Sequence, residues 1–182
     1  MNKKIMILNG SPRPGGNTSA LVSAFSKGAV DAGNTVKTFW LEGMNINSCK
    51  GCYCGGKSLT EPCVQNDDMS SIYPAYVEAD VVVLASPLYF WTFSGQIRIA
   101  FDRLHAIAEC DPNHISPVKS CALLMAAESH DFDEATNYYE GFMRYLFWKD
   151  LGRVLVGGVR DIGDIEGNPA LGSAYDLGAS IV

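Results

Sequence analysis

Residues 4–25 read KIMILNGSPRPGGNTSALVSAF. An apolar run from Lys4 to Leu8 is followed by a loop of glycines and short polar side chains, Gly10 to Gly16, and then by apolar residues at helical spacing. The spacing continues to Gly33-Asn34, two residues that tolerate the left-handed backbone at which helices often end. A buried strand, a tight loop and a helix in this order are typical of an α/β protein.

The same alternation continues to the end of the chain. Further strands are predicted at 35–41, 80–85, 118–125 and 154–159. Helices are predicted over 71–78, along a face from Ile97 to Ala108, from Asp131 or Asp133 to Leu146, and from Pro169 onward. Five strands interleaved with helices predict a parallel sheet with helices on both faces, in a single domain of residues 1–182.

The composition limits the classes of protein to consider. The chain has 182 residues, a net charge of −6, 47% apolar residues and 19% charged residues, as is ordinary for a globular domain. An acidic chain without a basic stripe argues against binding nucleic acid or an anionic membrane. The apolar runs are shorter than the roughly 20 residues that span a bilayer, and the run after Lys3-Lys4 is too short for a secretory signal. The cytoplasm is therefore the expected compartment.

The loop after the first strand has the chemistry of a phosphate site. In open parallel sheets, ligands bind beyond the carboxyl ends of the strands, and a helix N-terminus offers unpaired N–H groups and a partial positive charge. The short polar side chains that could add to these donors are those of Ser11, Asn17, Thr18 and Ser19. The glycine spacing resembles that of a nucleoside triphosphate loop, but Asn17 stands where that loop has lysine.

The loop after the third strand, Ser86 to Gln96, is rich in aromatic residues. Tyr89, Phe90, Trp91 and Phe93 lie within five positions, and so many aromatic side chains outside a strand or helix indicate a binding surface. A planar ligand could stack on them. The alternative is that Phe90, Trp91 and Phe93 form a subunit interface.

These motifs resemble the NADPH-dependent FMN reductase branch of the flavodoxin-like superfamily. The opening motif of that family, Gly-Ser-x-Arg-x-x-x-Asn-Thr/Ser, is matched by Gly10, Ser11, Arg13, Asn17 and Thr18. Its second motif, Pro-x-Tyr-x-x-x-x-Ser/Thr-Gly and later Lys/Arg-x-x-x-Asp-Arg, is matched by Pro87, Tyr89, Ser94, Gly95, Arg98, Asp102 and Arg103. The resemblance implies a three-layer flavodoxin-like fold with strand order 2-1-3-4-5.

The resemblance also implies an FMN site. The residues it assigns to the phosphate are Ser11, Arg13, Asn17, Thr18 and Ser19. Those it assigns to the flavin ring are Pro87, Leu88, Tyr89, Phe90 and Trp91. Ala126 and Ala127 follow the fourth strand, where small side chains would let the outer edge of the ring lie close. Asp102 and Arg103 are interpreted as a structural ion pair.

The implied activity is that of an NAD(P)H-dependent oxidoreductase, which passes electrons from a nicotinamide through FMN to a quinone, a flavin, a similar small molecule or a partner protein. Because the flavin does the chemistry, no catalytic side chain is expected. Two alternatives are a flavin electron carrier without enzyme activity and a non-redox regulatory domain. The subunits are expected to form a homodimer or homotetramer.

Four of the six cysteines lie within fifteen residues, at Cys49, Cys52, Cys54 and Cys63. In a reducing compartment such a cluster indicates metal or redox chemistry. Some relatives, the iron–sulfur flavoproteins, hold a [4Fe–4S] cluster on a compact motif here, usually with two residues between the second and third cysteines. Only Tyr53 separates Cys52 from Cys54. Three interpretations stay open: thiols without metal that could form a labile disulfide, a [4Fe–4S] cluster, and zinc or another metal.

Overall fold

A computed structural model describes residues 2–53, 55–56 and 58–182. Its strands are β1 (Lys4–Asn9), β2 (Thr35–Trp40), β3 (Val81–Tyr89), β4 (Thr92–Phe93), β5 (Ser120–Ala126) and β6 (Lys149–Val156). Five of them form a parallel sheet in the order β2-β1-β3-β5-β6, and the two-residue β4 pairs antiparallel with β3. The predicted order of the five parallel strands is confirmed.

Helices cover both faces of the sheet. They are α1 (Asn17–Asp31), α2 (Met69–Glu78), α3 (Gly95–Ala108), α4 (Asp133–Leu146) and α5 (Ala170–Ala179), with a short 3-10 turn at Leu41–Gly43. One core cluster joins α2, α3 and α4 to the sheet, and a second joins α1 and α5 to its other face. The three-layer arrangement is thereby confirmed. No helix among the described residues is both long enough and apolar enough to span a bilayer.

The first strand shows why the sheet lies between two hydrophobic cores. Met6 and Leu8 belong to one core cluster, while Ile5 and Ile7 belong to the other. Side chains on a strand alternate between its faces, so a continuous apolar run fills both cores. Burying each such side chain stabilises the fold by roughly 1.5–3 kcal/mol, which fixes β1 inside the sheet, between β2 and β3, behind the loop that follows it.

Two strands differ from the prediction by more than two residues. Strand β3 continues to Tyr89, although Ser86 to Ser94 was expected to be a loop, because the chain pairs with itself as a hairpin. Strand β6 begins at Lys149, five residues before the predicted start, and ends at Val156. Its first residues are exposed and polar, and its register shifts opposite Cys121 and Leu123, so the pattern of a buried strand is missing there.

Candidate functional site at the carboxyl edge of the sheet

Residues 10–16, the glycine loop, are fixed to their neighbours by hydrogen bonds. The Gly10 N–H donates to Ala85 O at 2.8 Å, and the Ser11 N–H donates to Asn9 Oδ1 at 3.0 Å. The indole N–H of Trp40 donates to Ser11 O at 2.8 Å. The sequence did not point to Trp40, since a tryptophan at the end of an edge strand carries no sign of its partner.

Gly10 brings the glycine loop against the start of α3. A Cβ at this position would collide with Ile97 Cγ1 and would lie 2.5 Å from Ser94 Oγ. Ser94 is itself held there, because its N–H donates to Ser86 Oγ at 2.8 Å and its hydroxyl accepts the Ile97 N–H at 3.4 Å. The loops after β1 and β3 therefore form one continuous surface.

The start of α1 has the properties of an anion site. Its N-cap is Gly16, which has no side chain to satisfy the first N–H groups, and no acidic residue lies in the first turn. Ser11 and Thr18 are buried beside this helix end. Unpaired N–H groups, the positive end of a helix dipole and nearby hydroxyls are the donors that bind phosphate. The residues present therefore fit the phosphate of FMN.

Two of the predicted phosphate residues also hold a second segment of the chain. The Asn17 amide donates to Asp161 O at 3.0 Å and accepts the Ile165 N–H at 3.4 Å. The Arg13 guanidinium donates to Arg160 O at 2.7 Å. Residues 160–165 thus close one side of the glycine loop. Direct contact of Ser11, Arg13, Asn17, Thr18 or Ser19 with a phosphate stays a prediction.

The aromatic residues after β3 form a tight hairpin, Tyr89–Thr92. Phe90 and Trp91 occupy its two central positions with φ of 48° and 59°, where asparagine and glycine are usual. Left-handed backbone at such side chains costs on the order of 1–3 kcal/mol each and is often kept at binding sites. Phe90 is 93% exposed, whereas Phe93 is buried against Tyr138. Phe93 is therefore not available to the subunit interface considered for it.

The hairpin contacts the loop that follows β5. The Trp91 indole N–H donates to Asp131 Oδ2 at 3.2 Å. A cavity of about 310 Å³ lies between the two loops and is lined by Leu88, Tyr89, Phe90, Trp91 and Ser129.

The alanines predicted to face the flavin ring lie beside the same edge. Pro87 pairs in register with Ala126. Ala126 and Ala127 are buried, and the backbone of Ala127 is bonded to Val156 and Val159. The structure thus brings Pro87 to Trp91, Ala126 and Ala127 to one edge of the sheet.

Residues 44–68, the cysteine loop, are anchored by a buried ion pair. Arg103 Nη1 lies 2.6 Å from Asp67 Oδ2 and Nη2 lies 3.1 Å from Oδ1, and both side chains are almost fully buried. Arg103 also donates to Asn47 O at 2.7 Å and to Cys63 Sγ at 3.5 Å. The predicted pair of Asp102 with Arg103 is wrong. Consecutive helical residues do not face each other, so Asp102 is exposed while Arg103 points inward.

The ion pair sets the protonation of the groups around it. Burial alone would raise the pKa of Asp67, but hydrogen bonds from Arg103 and from backbone N–H groups hold that pKa below its ordinary value. Burial likewise opposes ionisation of Cys63, yet a backbone hydrogen bond at Gln65 and the Arg103 charge lower the pKa of the thiol. The cysteine loop therefore carries a thiol that ionises more readily than usual.

The predicted metal ligands can be followed only in part. Cys49 and Cys52 are exposed and Cys63 is half-buried, whereas Cys54 lies outside the described residues. Within the described ranges, no three His, Cys, Asp or Glu side chains are placed to hold a metal ion. The described residues do not by themselves form the ligand set of a cluster.

Comparisons with known proteins identify relatives of this chain. Residues 3–157 match the family model of NADPH-dependent FMN reductase. An iron–sulfur flavoprotein of Archaeoglobus fulgidus is 36% identical over 96 residues, and one of Methanosarcina thermophila is 32% identical over 100. These alignments cover 52% and 55% of this chain. They cover only 42% and 51% of the relatives, so the chain spans about half the length of the curated proteins it matches.

A solved structure supports the fold over the whole chain. The NAD(P)H:quinone oxidoreductase from Methanothermobacter marburgensis superposes with a TM-score of 0.68 at 17% identity, covering 98% of this chain and 96% of its own. At that identity the likeness establishes the flavodoxin-like fold. The family match runs from β1 to the end of β6, and by that match the chain belongs to the NADPH-dependent FMN reductase family.

Proposed function

We propose that residues 1–182 form one FMN-binding domain that acts as an NAD(P)H-dependent oxidoreductase. The observation that carries the proposal is the continuous edge of the sheet, where the uncapped start of α1 meets the aromatic hairpin through Gly10. One end of this edge suits a phosphate and the other a planar ring. The family match supports FMN as the cofactor and a nicotinamide nucleotide as the electron donor.

The phosphate end would be held by backbone and hydroxyl groups. The first N–H groups of α1 would donate to the phosphate, with the hydroxyls of Ser11, Thr18 and Ser19 beside them. Arg13 and Asn17 would act partly through residues 160–165, which they fasten against the loop. Backbone N–H groups and hydroxyls can bind an anion without a cationic side chain, and Arg13 is the one cation among these donors. The net charge of −6 for the whole chain therefore does not argue against a phosphate here.

The ring end would be held by Pro87 to Trp91, and by Ala126 and Ala127, whose small side chains allow close approach. FMN, when bound, supplies the capacity to accept a hydride and to pass electrons onward. The protein would contribute position and exclusion of water, so no side chain is assigned as acid or base. The acceptor would be a quinone, a flavin or a similar small molecule, or a partner protein.

The test uses the intact protein without oxygen. FMN is first titrated against the apoprotein, with quenching of flavin fluorescence as the signal, and the loaded protein is then mixed rapidly with NADH or NADPH. We expect saturable binding of one FMN, followed by loss of the flavin absorbance with one of the two nucleotides. A protein that binds no FMN would contradict the proposed cofactor site.

A second candidate function is that of an electron carrier that receives its electrons from another protein. The observations that favour it are the cysteine loop and the iron–sulfur flavoproteins among the relatives. A carrier would bind FMN and be reduced by dithionite, but neither nicotinamide nucleotide would reduce it on the timescale of turnover. The rapid-mixing experiment therefore separates the two candidates.

A further inference from the structure

Trp40 lies at the carboxyl edge of the sheet, although neither the phosphate motif nor the aromatic motif includes it. It is the last residue of the edge strand β2, where it pairs in register with Asn9 at the end of β1. Its indole N–H donates to Ser11 O at 2.8 Å, so a side chain of β2 reaches the glycine loop that follows β1. The contact therefore links a second strand to the proposed phosphate site.

The Trp40 ring is restrained by the turn that follows it. The 3-10 turn Leu41–Gly43 lies so close to the indole that a Cβ on Gly43 would be 3.0 Å from Cε3 and 3.2 Å from Cζ3 of the ring. The same turn is tied to the start of α3, because Gln96 Nε2 donates to Glu42 Oε2 at 2.6 Å. One face of the indole is thus packed, even though Trp40 as a whole is 39% exposed.

The backbone of Ser11 is bonded on both sides. Its N–H donates to Asn9 Oδ1 at 3.0 Å, and its carbonyl accepts the Trp40 N–H. The Asn9 amide in turn donates to Ser19 Oγ at 3.1 Å, in the first turn of α1. These bonds run from β2 across the glycine loop to the start of the helix. The Trp40 contact therefore bears on the position of the N–H groups that would hold a phosphate.

The direction of the Ser11 carbonyl matters for an anion. A carbonyl oxygen carries partial negative charge and repels a phosphate, whereas N–H groups attract it. The next residue is Pro12, which has no N–H, so the peptide between the two residues can offer a phosphate only its carbonyl. The hydrogen bond from Trp40 holds that oxygen toward the indole. Removing the indole N–H would release the oxygen, at a cost in phosphate affinity.

We propose that Trp40 is a positioning residue for the flavin phosphate and that it contributes to a preference for FMN over riboflavin, which lacks the phosphate. The proposal rests on the FMN site proposed above and adds to it a residue outside the glycine loop. The aromatic hairpin would hold the ring of both flavins alike, whereas the shape of the glycine loop matters for FMN alone. A contact that merely stabilised the fold would lower both affinities equally.

The test compares Trp40→Phe with the wild-type full chain by fluorescence titration of the apoprotein, first with FMN and then with riboflavin. Phenylalanine keeps an aromatic ring beside Gly43 and removes the N–H. We expect FMN affinity to fall roughly fivefold, as for the loss of one neutral hydrogen bond, while riboflavin affinity stays unchanged. The phosphorus NMR resonance of bound FMN should also shift, because the donors around the phosphate move.

Trp148→Phe is the matched control. The Trp148 indole N–H also donates to a backbone carbonyl, Pro117 O at 2.9 Å, but it does so at the opposite edge of the sheet, where β5 and β6 begin. This variant should lower thermal stability and leave the ratio of the two flavin affinities unchanged. Gly43→Ala, which crowds the Trp40 ring without removing its N–H, should lower the preference for FMN by a smaller factor than Trp40→Phe does.

The outcomes separate the role of Trp40 from the FMN site itself. If the wild-type protein prefers FMN and Trp40→Phe keeps the full preference, or loses affinity for both flavins equally, the role of Trp40 is overturned and the FMN site stands. If Trp148→Phe reduces the preference as much as Trp40→Phe does, the effect is not local and the proposal also fails. A wild-type protein that binds neither flavin would overturn the FMN site and, with it, this proposal.

Discussion

The glycine loop and the cysteine loop are both irregular, yet different forces hold them in place. The glycine loop is seven residues long and is fixed by its own backbone bonds to adjacent strands, with Gly10 against the next loop. The cysteine loop is much longer, and a buried ion pair of Asp67 with Arg103 fastens it to α3. Hydrogen bonds between Asn45 and Asp68 join its two ends. Several separate hydrogen bonds, including those to residues 160–165, thus hold the glycine loop, whereas a buried ion pair is the main link between the cysteine loop and α3.

The largest effect is expected from Asp67→Ala, which removes the anchor of the cysteine loop. Arg103 would be left as a buried charge without a counterion, and breaking such a pair costs ~3–5 kcal/mol of the free energy of unfolding. Urea unfolding measures the loss. The matched control is Asp68→Ala, because Asp68 is exposed and its carboxylate accepts one hydrogen bond from the Asn45 N–H. Equal losses in the two variants would show that the ion pair is not the main anchor.

Low pH should reduce the difference in stability between the wild-type protein and Asp67→Ala. The folded pKa of Asp67 lies below its unfolded value of about 3.9, so the ionised carboxylate stabilises the fold fully above that value. As the pH falls through the folded pKa, the carboxylate is protonated and this contribution is lost. The stability gap between wild type and Asp67→Ala should therefore be constant near neutral pH and narrow below about pH 4. A gap that widens in acid would contradict the assigned direction.

A smaller effect is expected from Gly10→Ala in the glycine loop. The new Cβ would collide with Ile97 and approach Ser94, and overpacking of this kind costs ~1–3 kcal/mol. Because the collision pushes the glycine loop from the start of α3, FMN affinity should fall as well. Gly141→Ala in α4 is the control: a Cβ there meets nothing within 4 Å, and the change should stabilise the helix by up to ~1 kcal/mol.

The same contrast explains how much of the molecule the sequence could predict. The glycine loop was found because its strand, glycines and helix are neighbours in sequence and follow a general rule for strand ends. The partner of Arg103 was missed because Asp67 lies 36 positions away, and no periodic pattern connects a loop residue to a helix residue. The hairpin at Phe90 and Trp91 was missed for another reason: its backbone is one that aromatic residues rarely adopt.

A change of about tenfold in FMN affinity is expected from Thr18→Val. The substitution keeps the shape of the side chain and removes one buried hydroxyl at the start of α1. A hydrogen bond to a charged group contributes ~1.5 kcal/mol or more, which corresponds to roughly tenfold in the dissociation constant. Fluorescence titration with FMN gives the value. Ser23→Ala is the control, since its exposed hydroxyl bonds within α1 at Ser19 O and should leave FMN affinity unchanged.

The smallest effect is expected at the contact between the hairpin and the loop after β5. Trp91→Phe keeps an aromatic ring and removes the indole N–H that donates to Asp131. An exposed hydrogen bond is worth ~0.5–1 kcal/mol, so FMN affinity should fall by roughly two- to fivefold.

Asp131→Asn is the companion variant, because its single amide oxygen can take the place of Oδ2 and still accept from Trp91, although the hydrogen bond from the Asp133 N–H to Oδ1 is then lost. It should therefore change FMN affinity less than Trp91→Phe does. If Trp91→Phe weakened FMN binding more than Thr18→Val, the hairpin rather than the start of α1 would dominate the affinity. The carboxyl edge would then resemble the cysteine loop, with one long-range contact carrying most of the energy, and the contrast between the two loops would not hold.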